Sequence, residues 1–432
     1  VRSDCLLSSL HIDSEDLPEN SQRKTPPHLP MKHLLKKGSI LILLGTGGVG
    51  KTTVAAALGL AAAEAPLDTA LITVDPARRL REALGLSGLG GTPTRISERA
   101  LRSAGLDPKL KLAAMQLDVK GAWDTMVERF VKSPATRKNI LENPFYKNLT
   151  EEYAGSEAYA ALQQLYDLHQ SDAFDIEIVD TPPAAHAFEF LQAPARLARL
   201  LDSRAARWLF TPSLSAGRFA MRIANTAARF VIHELERFAG GNVLSTISDF
   251  FEAAAEAVDA MVDRLHKTET LLHSPEVRFI LVTTAEEDRL RRARELIAEM
   301  EAEGLTLSAI VINRFLDEET WSDVMKHPGV EPSRIKNIGK LRPSMENGLS
   351  ANGVVDFLEE YRSRAIDDIA RVEHFVRELS SKVTVAIAPE IEVGVRDLAA
   401  LARVAKCLLT PIAVKAQSGR ARQNHKGTEA QS

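Results

Sequence analysis

A short stretch, Gly45-Thr46-Gly47-Gly48-Val49-Gly50-Lys51-Thr52-Thr53, brings together the groups needed to hold a polyphosphate. It satisfies G-x-x-x-x-G-K-[ST], and its surroundings are those the pattern requires. An apolar β-type run, Ile40–Leu44, precedes it, and a helix-forming run from Val54 to Leu60 follows. Glycines let successive backbone N–H groups converge on phosphate oxygens without Cβ atoms in the way, and the helix start adds its positive dipole end. Lys51 is placed to reach the β- and γ-phosphates, and the Thr52 hydroxyl to ligate Mg²⁺. The stretch implies a site for a nucleoside triphosphate, ATP with Mg²⁺, with Gly45 to Thr53 as its phosphate-binding residues.

Further along, two carboxylates close apolar runs. Asp180 follows Asp175–Val179 and opens Asp180-Thr181-Pro182-Pro183. An acidic residue at a strand's carboxyl end, after a phosphate loop, is the expected partner of Mg²⁺, directly or through a coordinated water. Asp75 follows Ala70–Val74 and opens Asp75-Pro76-Ala77-Arg78-Arg79. A carboxylate there can orient or deprotonate an attacking water. The plainer reading of Asp75 is a helix N-cap followed by proline at the first helical position; that of Asp180 is a turn former. Asn313 ends the run Ala309–Ile312, and its amide has the donor and acceptor that adenine N7 and N6 ask for. A strand-end turn residue is the alternative.

The elements that must position these groups are β-type runs at Ile40–Leu44, Ala70–Val74, Leu112–Leu117, Ile176–Val179, Phe279–Val282, Leu307–Ile312 and Val383–Ile387. Continuous apolar runs alternating with helical patterns predict an α/β fold with one doubly wound, mostly parallel sheet. Residues of about 184–275 are too many for a simple crossover and read as an inserted helical subdomain. Its amphipathic patterns are Asp249–Leu265 and a stretch upstream within Arg222–Phe238. Ile366–Leu379 is a further predicted helix. Residues 36–415 then form the nucleotide-binding domain, between disordered tails at 1–35 and 416–432.

Composition narrows the class. The 432 residues, 45% apolar and 26% charged, are those of a globular protein. A net charge of −4, from 54 basic and 58 acidic residues, argues against a nucleic-acid partner. The two cysteines, Cys5 and Cys407, supply neither a disulfide framework nor a CxxC clamp. No apolar run approaches the ~18 residues of a membrane span, and a cytoplasmic protein is the expectation.

Assembled, these motifs resemble the anion-transporting ATPase family, which contains the arsenical pump-driving ATPases and the ATPases that target tail-anchored membrane proteins. The resemblance covers about residues 38–412. It rests on the phosphate loop, Thr73-Val74-Asp75-Pro76-Ala77, Leu117-Asp118, Ala154-Gly155-Ser156-Glu157-Ala158-Tyr159, Phe174–Pro183 with His186, Val311-Ile312-Asn313, and the final strand into Ala388-Pro389-Glu390. It implies ATP hydrolysis, with Asp75 in a first switch positioning the water and Asp180 to His186 forming a second. It further implies that Asn313 and the loop around Pro389 hold adenine, and that two copies pair as a homodimer. The helical subdomain would open and close on a membrane protein or an apolar-helix client.

Three departures from the family pattern stand out. The second loop position, usually a lysine reaching the partner's nucleotide, is Thr46, with Arg78 and Arg79 as candidate replacements. Arsenite capture needs several converging sulfurs, which two cysteines do not supply. The second switch reads Asp180-Thr181-Pro182-Pro183-Ala184-Ala185-His186 and lacks the usual glycine. Other readings are a partition- or septum-site-type ATPase acting on DNA or a membrane surface, and a nucleotide-binding regulator with little turnover.

Overall fold

The computed structural model describes residues 31–74, 78–144, 146–147, 150, 156–182, 184–202, 250, 253–255, 257–315, 351–390 and 397–409. In chain order the elements are β1 (Ser39–Leu44), α1 (Lys51–Glu64), β2 (Thr69–Thr73), α2 (Arg78–Ala83), β3 (Thr94–Arg95), α3 (Glu98–Ser103) and β4 (Leu112–Gln116). Next come α4 (Val119–Phe130), α5 (Pro134–Glu142), α6 (Ser156–Gln170), β5 (Ile176–Asp180), α7 (Ala184–Asp202) and α8 (Val258–Leu272). The remainder is β6 (Val277–Thr283), α9 (Glu287–Ala302), β7 (Leu307–Phe315), α10 (Ala351–Glu378), β8 (Thr384–Pro389) and α11 (Leu398–Leu409).

The strands form one eight-stranded sheet in the order β3-β4-β2-β5-β1-β6-β7-β8. Every pairing is parallel except the short edge contact of β3 with β4. This is the α/β class the sequence implied, and each predicted β-run is a strand. β3 was not foreseen, because two residues carry no periodicity to read. β7 runs past Ile312, so that Asn313 lies within the strand, where a register shift and a left-handed Arg314 (φ 54°) distort its end.

Burial on both faces follows from the alternation along each strand. On one face Leu41, Leu43, Leu71, Ile178, Ile280 and Val311 pack under α1 and α11. On the other, Ile40, Ile42, Ile72, Val179, Leu281 and Ile310 pack under α6, α9 and α10. Helix α1 is buried almost all round, since its alanine-rich sequence lets both the sheet and α11 approach closely.

A further apolar cluster lies among helices and away from the sheet. Trp123 and Met126 of α4, Tyr159 of α6, Ala198 of α7 and Leu265 of α8 meet there, with the Trp123 and Tyr159 rings 4.6 Å apart. Polar groups tie α6 to α8. Arg264 Nε donates to Gln163 Oε1 (2.9 Å), its guanidinium lies 3.7 Å from the Tyr166 ring centroid, and its Nη2 pairs with Asp167. Gln163 Nε2 donates to Thr268 Oγ1 (3.0 Å).

Both described ends of the long interval between β5 and β6 are helices, α7 and α8. The predicted helix at Asp249–Leu265 is interrupted: Phe250, Ala253 and Ala254 are helical, a turn in which Ala257 N donates to Ala254 O follows, and α8 runs from Val258 on through Leu271 and Leu272. The predicted helix at Ile366–Leu379 is the end of the longer α10. Residues 203–249, with Arg222–Phe238, lie outside the described residues, as do the two predicted tails apart from Met31–Leu35. Among the described residues no helix is long and apolar enough to cross a membrane.

Candidate functional site

The carboxyl ends of β1, β2, β5, β6 and β7 open on one edge of the sheet, and Gly45 to Gly50 connects β1 to α1 across it. Two glycines explain the path. Gly45 (φ 151°) lies so close to β6 that a Cβ would stand 2.3 Å from Val282 O. Gly50 (φ 93°) caps α1 in a conformation costly for any other residue, and a Cβ there would meet Asn313 Nδ2 at 2.2 Å. Between them Gly47 and Gly48 are exposed at the loop tip, where amide donors must face a ligand.

Lys51 begins α1 and is only 8% exposed. Its ammonium donates back to Gly45 O (2.9 Å) and to Thr46 O (3.4 Å), so the charge is held within the curve of the loop. Thr52 faces the neighbouring strand: its Oγ1 donates to Asp180 Oδ2 at 2.6 Å. Asp180 closes β5 and is 2% exposed, and the same oxygen accepts from Thr73 Oγ1 at 3.3 Å. Thr181 Oγ1 donates to Leu43 O (2.6 Å), pinning the residue after the carboxylate to β1. Thr53 is half-buried on the first turn of α1.

Sequence residues 128 apart thus meet as a hydroxyl and a carboxylate. Both are hard oxygen donors, the kind Mg²⁺ takes when phosphates complete its shell. The residues present fit that ion. A buried ammonium inside a ring of backbone amides likewise fits the phosphates it would accompany.

The model of the anion-transporting ATPase family matches residues 39–341. The chain belongs to that family. Relatives include a putative arsenical pump-driving ATPase of Halobacterium salinarum, 28% identical over 38% of this chain and 24% of that protein. The ATPase GET3 of Malassezia globosa is 24% identical over 63% of this chain and 71% of its own length. That of Candida glabrata is 30% identical over 37% and 46%. The chain therefore spans about a quarter of the halobacterial relative and under half of the Candida glabrata one.

Within the family frame, the other predicted residues fall as follows. Asn313 sits under the phosphate loop, 5% exposed, and its Nδ2 donates to Val49 O at 2.7 Å. Sequence reasoning assigned that amide to adenine and did not foresee this use of it. Pro389 ends β8 beside Phe315 of β7, so Asn313 and Pro389 lie on adjacent strand ends. Asp118 is the N-cap of α4, accepting from Gly121 N at 2.9 Å. Asp75 and the side chains of Arg78, Arg79 and His186 lie outside the described residues.

One contact had no counterpart in the sequence reading. Arg289, in the first turn of α9, donates from Nη1 to the Thr46 hydroxyl at 3.0 Å. Sequence alone offers no signal for it, because Arg289 is one of four arginines within six residues of an amphipathic helix, and only the fold says which one faces the loop.

Proposed function

We propose that this chain binds Mg·ATP on Gly45–Thr53, hydrolyses it, and uses the change at the terminal phosphate to move its helical layer. The observation that carries the reading is the 2.6 Å contact between Thr52 and Asp180. It joins the residue after the loop lysine to the end of β5, and the chain runs from there through Thr181 and Pro182 directly into α7. Thr52 and Asp180 are the residues that would hold Mg²⁺, and the ion would neutralise the phosphate oxygens on which charge gathers during transfer. A hydroxyl can ligate the ion through a lone pair while still donating its proton to the carboxylate, so the contact would hold both groups ready for the ion. The terminal phosphate and the ion would engage the end of β5, and the cluster around Ala198, Leu265 and Trp123 is the packing through which α7 would pass a change there to α8 and α4.

In this reading Lys51 leaves the carbonyls of Gly45 and Thr46 for the phosphates, and Asp75 orients the attacking water. Asn313 and Pro389 bound the adenine side. The helical layer, with the interval between α7 and α8, engages an apolar helix or a membrane partner. Two copies associate when nucleotide is bound, and the protein works in the cytoplasm.

The test is phosphate release by wild type, Lys51→Ala and Asp75→Asn, with mass measured by light scattering with and without Mg·ATP. Lys51→Ala should lose nucleotide binding. Asp75→Asn should bind but release phosphate about 100-fold more slowly. Binding lost in the first and release unchanged in the second would make the chain a nucleotide-dependent binder and not a working ATPase. A wild type that binds no nucleotide would overturn the reading entirely.

A further inference from the structure

We propose that Arg289 is a phosphate-contacting residue of this site, supplying from the same chain a second positive charge at the loop position occupied by Thr46. The inference rests on the nucleotide-binding reading above and extends it to a residue outside the phosphate loop.

Helix α9 follows β6, which pairs directly with β1, so its first turn rises at the sheet edge on which the phosphate loop lies. It carries Arg289, Arg291, Arg292 and Arg294. Three of these are committed to carboxylates: Arg291 to Asp288 (2.9 Å), Arg292 to Glu295 (3.6 Å) and Arg294 to Glu378 (2.6 Å). Arg289 differs. Its Nη1 reaches the Thr46 hydroxyl at 3.0 Å, while Glu286 stands 3.7 Å from its Nε and is 63% exposed to solvent.

Thr46 is consequently approached by two cations. The Lys51 ammonium lies 3.4 Å from its carbonyl oxygen, and the Arg289 guanidinium lies 3.0 Å from its hydroxyl. Two positive groups drawn onto one uncharged residue repel each other, and an anion received between them turns that cost into attraction. A guanidinium has five N–H donors in a fixed plane, so one bond to a hydroxyl leaves the others for phosphate oxygens. Lys51 belongs to the β- and γ-phosphates in such loops. A group sharing Thr46 with it is placed for the terminal phosphate, the part that distinguishes a triphosphate from a diphosphate.

The experiment measures, by calorimetry on the full chain with Mg²⁺, the affinities for a non-hydrolysable ATP analogue and for ADP. Wild type, Arg289→Ala and Arg289→Lys are compared, and thermal melts confirm that each is folded. Arg289→Ala should lower the ratio of analogue to ADP affinity about ten-fold, the scale of one charge-assisted hydrogen bond. Arg289→Lys should recover part of it. A purely structural role at the loop would weaken both nucleotides alike, and a ratio within three-fold of wild type overturns the proposal.

Mixing Arg289→Ala with Lys51→Ala chains tests the source of the charge. Restored discrimination in the mixture would mean the arginine serves a partner copy and would overturn the same-chain assignment, whereas the proposal expects no restoration. If wild type binds both nucleotides, Lys51→Ala binds neither and the Arg289→Ala ratio is unchanged, this inference fails alone. If wild type binds neither, the nucleotide site itself fails with it.

Discussion

Replacing Gly50 with alanine should strain the phosphate loop in two separable ways. The backbone there has φ 93°, and holding an L-residue in a left-handed conformation costs about 1–2 kcal/mol. The new Cβ would stand 2.2 Å from Asn313 Nδ2, well inside van der Waals contact. The amide must then withdraw, which breaks its 2.7 Å bond to the carbonyl of buried Val49 and costs about 1–3 kcal/mol. The sum, about 2–5 kcal/mol, is a large part of a typical domain's stability. Urea denaturation of nucleotide-free protein reads it directly. Asn313→Ala alone should cost only the hydrogen bond. Combined with Gly50→Ala it removes the clash and counts the lost bond only once, so the pair should cost about 1–3 kcal/mol less than the two singles added. Strict additivity, or a Gly50→Ala variant within about 0.5 kcal/mol of wild type, would refute the reasoning. The same substitution decides what Asn313 does for ligand: if it shapes the loop, Asn313→Ala weakens inorganic tripolyphosphate along with ATP. A residue that only reads adenine would leave tripolyphosphate untouched.

Asp180→Asn keeps a hydrogen-bonding partner for Thr52 but removes the charge offered to the cation. Phosphate release should fall about 100-fold and need more Mg²⁺ for half-maximal rate, as a Mg²⁺ titration would show. Glu177, 1% exposed on β5, has its carboxyl held above the ordinary value of 4.5 by burial, with His169 at 3.2 Å opposing that effect. As pH rises through 4.5 the unfolded chain releases this proton before the folded one does, so stability is lost toward neutral pH. Melting curves from pH 4 to 8 should show Glu177→Gln level with wild type at the acid end and more stable near neutrality. Arg264→Ala removes the bond to Gln163, the contact over Tyr166 and a partner of Asp167, and should cost about 2 kcal/mol in urea denaturation.

The sheet was legible in the sequence because its strands are buried on both faces, and continuous runs such as Ile40–Leu44 and Leu307–Ile312 have few other uses. That Thr52 and Asp180 would lie near one another was legible for a similar reason, since strand-end position and a phosphate loop together constrain where each must lie, whereas their direct hydrogen bond was not foreseen. Edges and boundaries were less so. β3 takes its conformation from β4 and not from its own two residues, and the helical spacing from Asp249 to Leu265 is broken before α8 by a turn in an alanine-rich segment that periodicity does not mark. Tertiary partners were the least legible. Whether Asn313 turns toward a base or supports Val49, and which arginine of α9 meets Thr46, depends on how β6 and β7 stand beside β1.

The two neighbours of β1 in the sheet, β5 and β6, bracket in sequence the interval that α7 opens and α8 closes. Whatever lies between residues 180 and 277 departs on one side of the nucleotide strand and re-enters on the other. Leu191 of α7 and Leu271 and Leu272 of α8 belong to the sheet's core, so what can be lengthened or exchanged without re-threading the sheet is the segment between those two helices. On the function proposed above, chimaeras that swap this segment between members of the family should keep nucleotide binding and change the client.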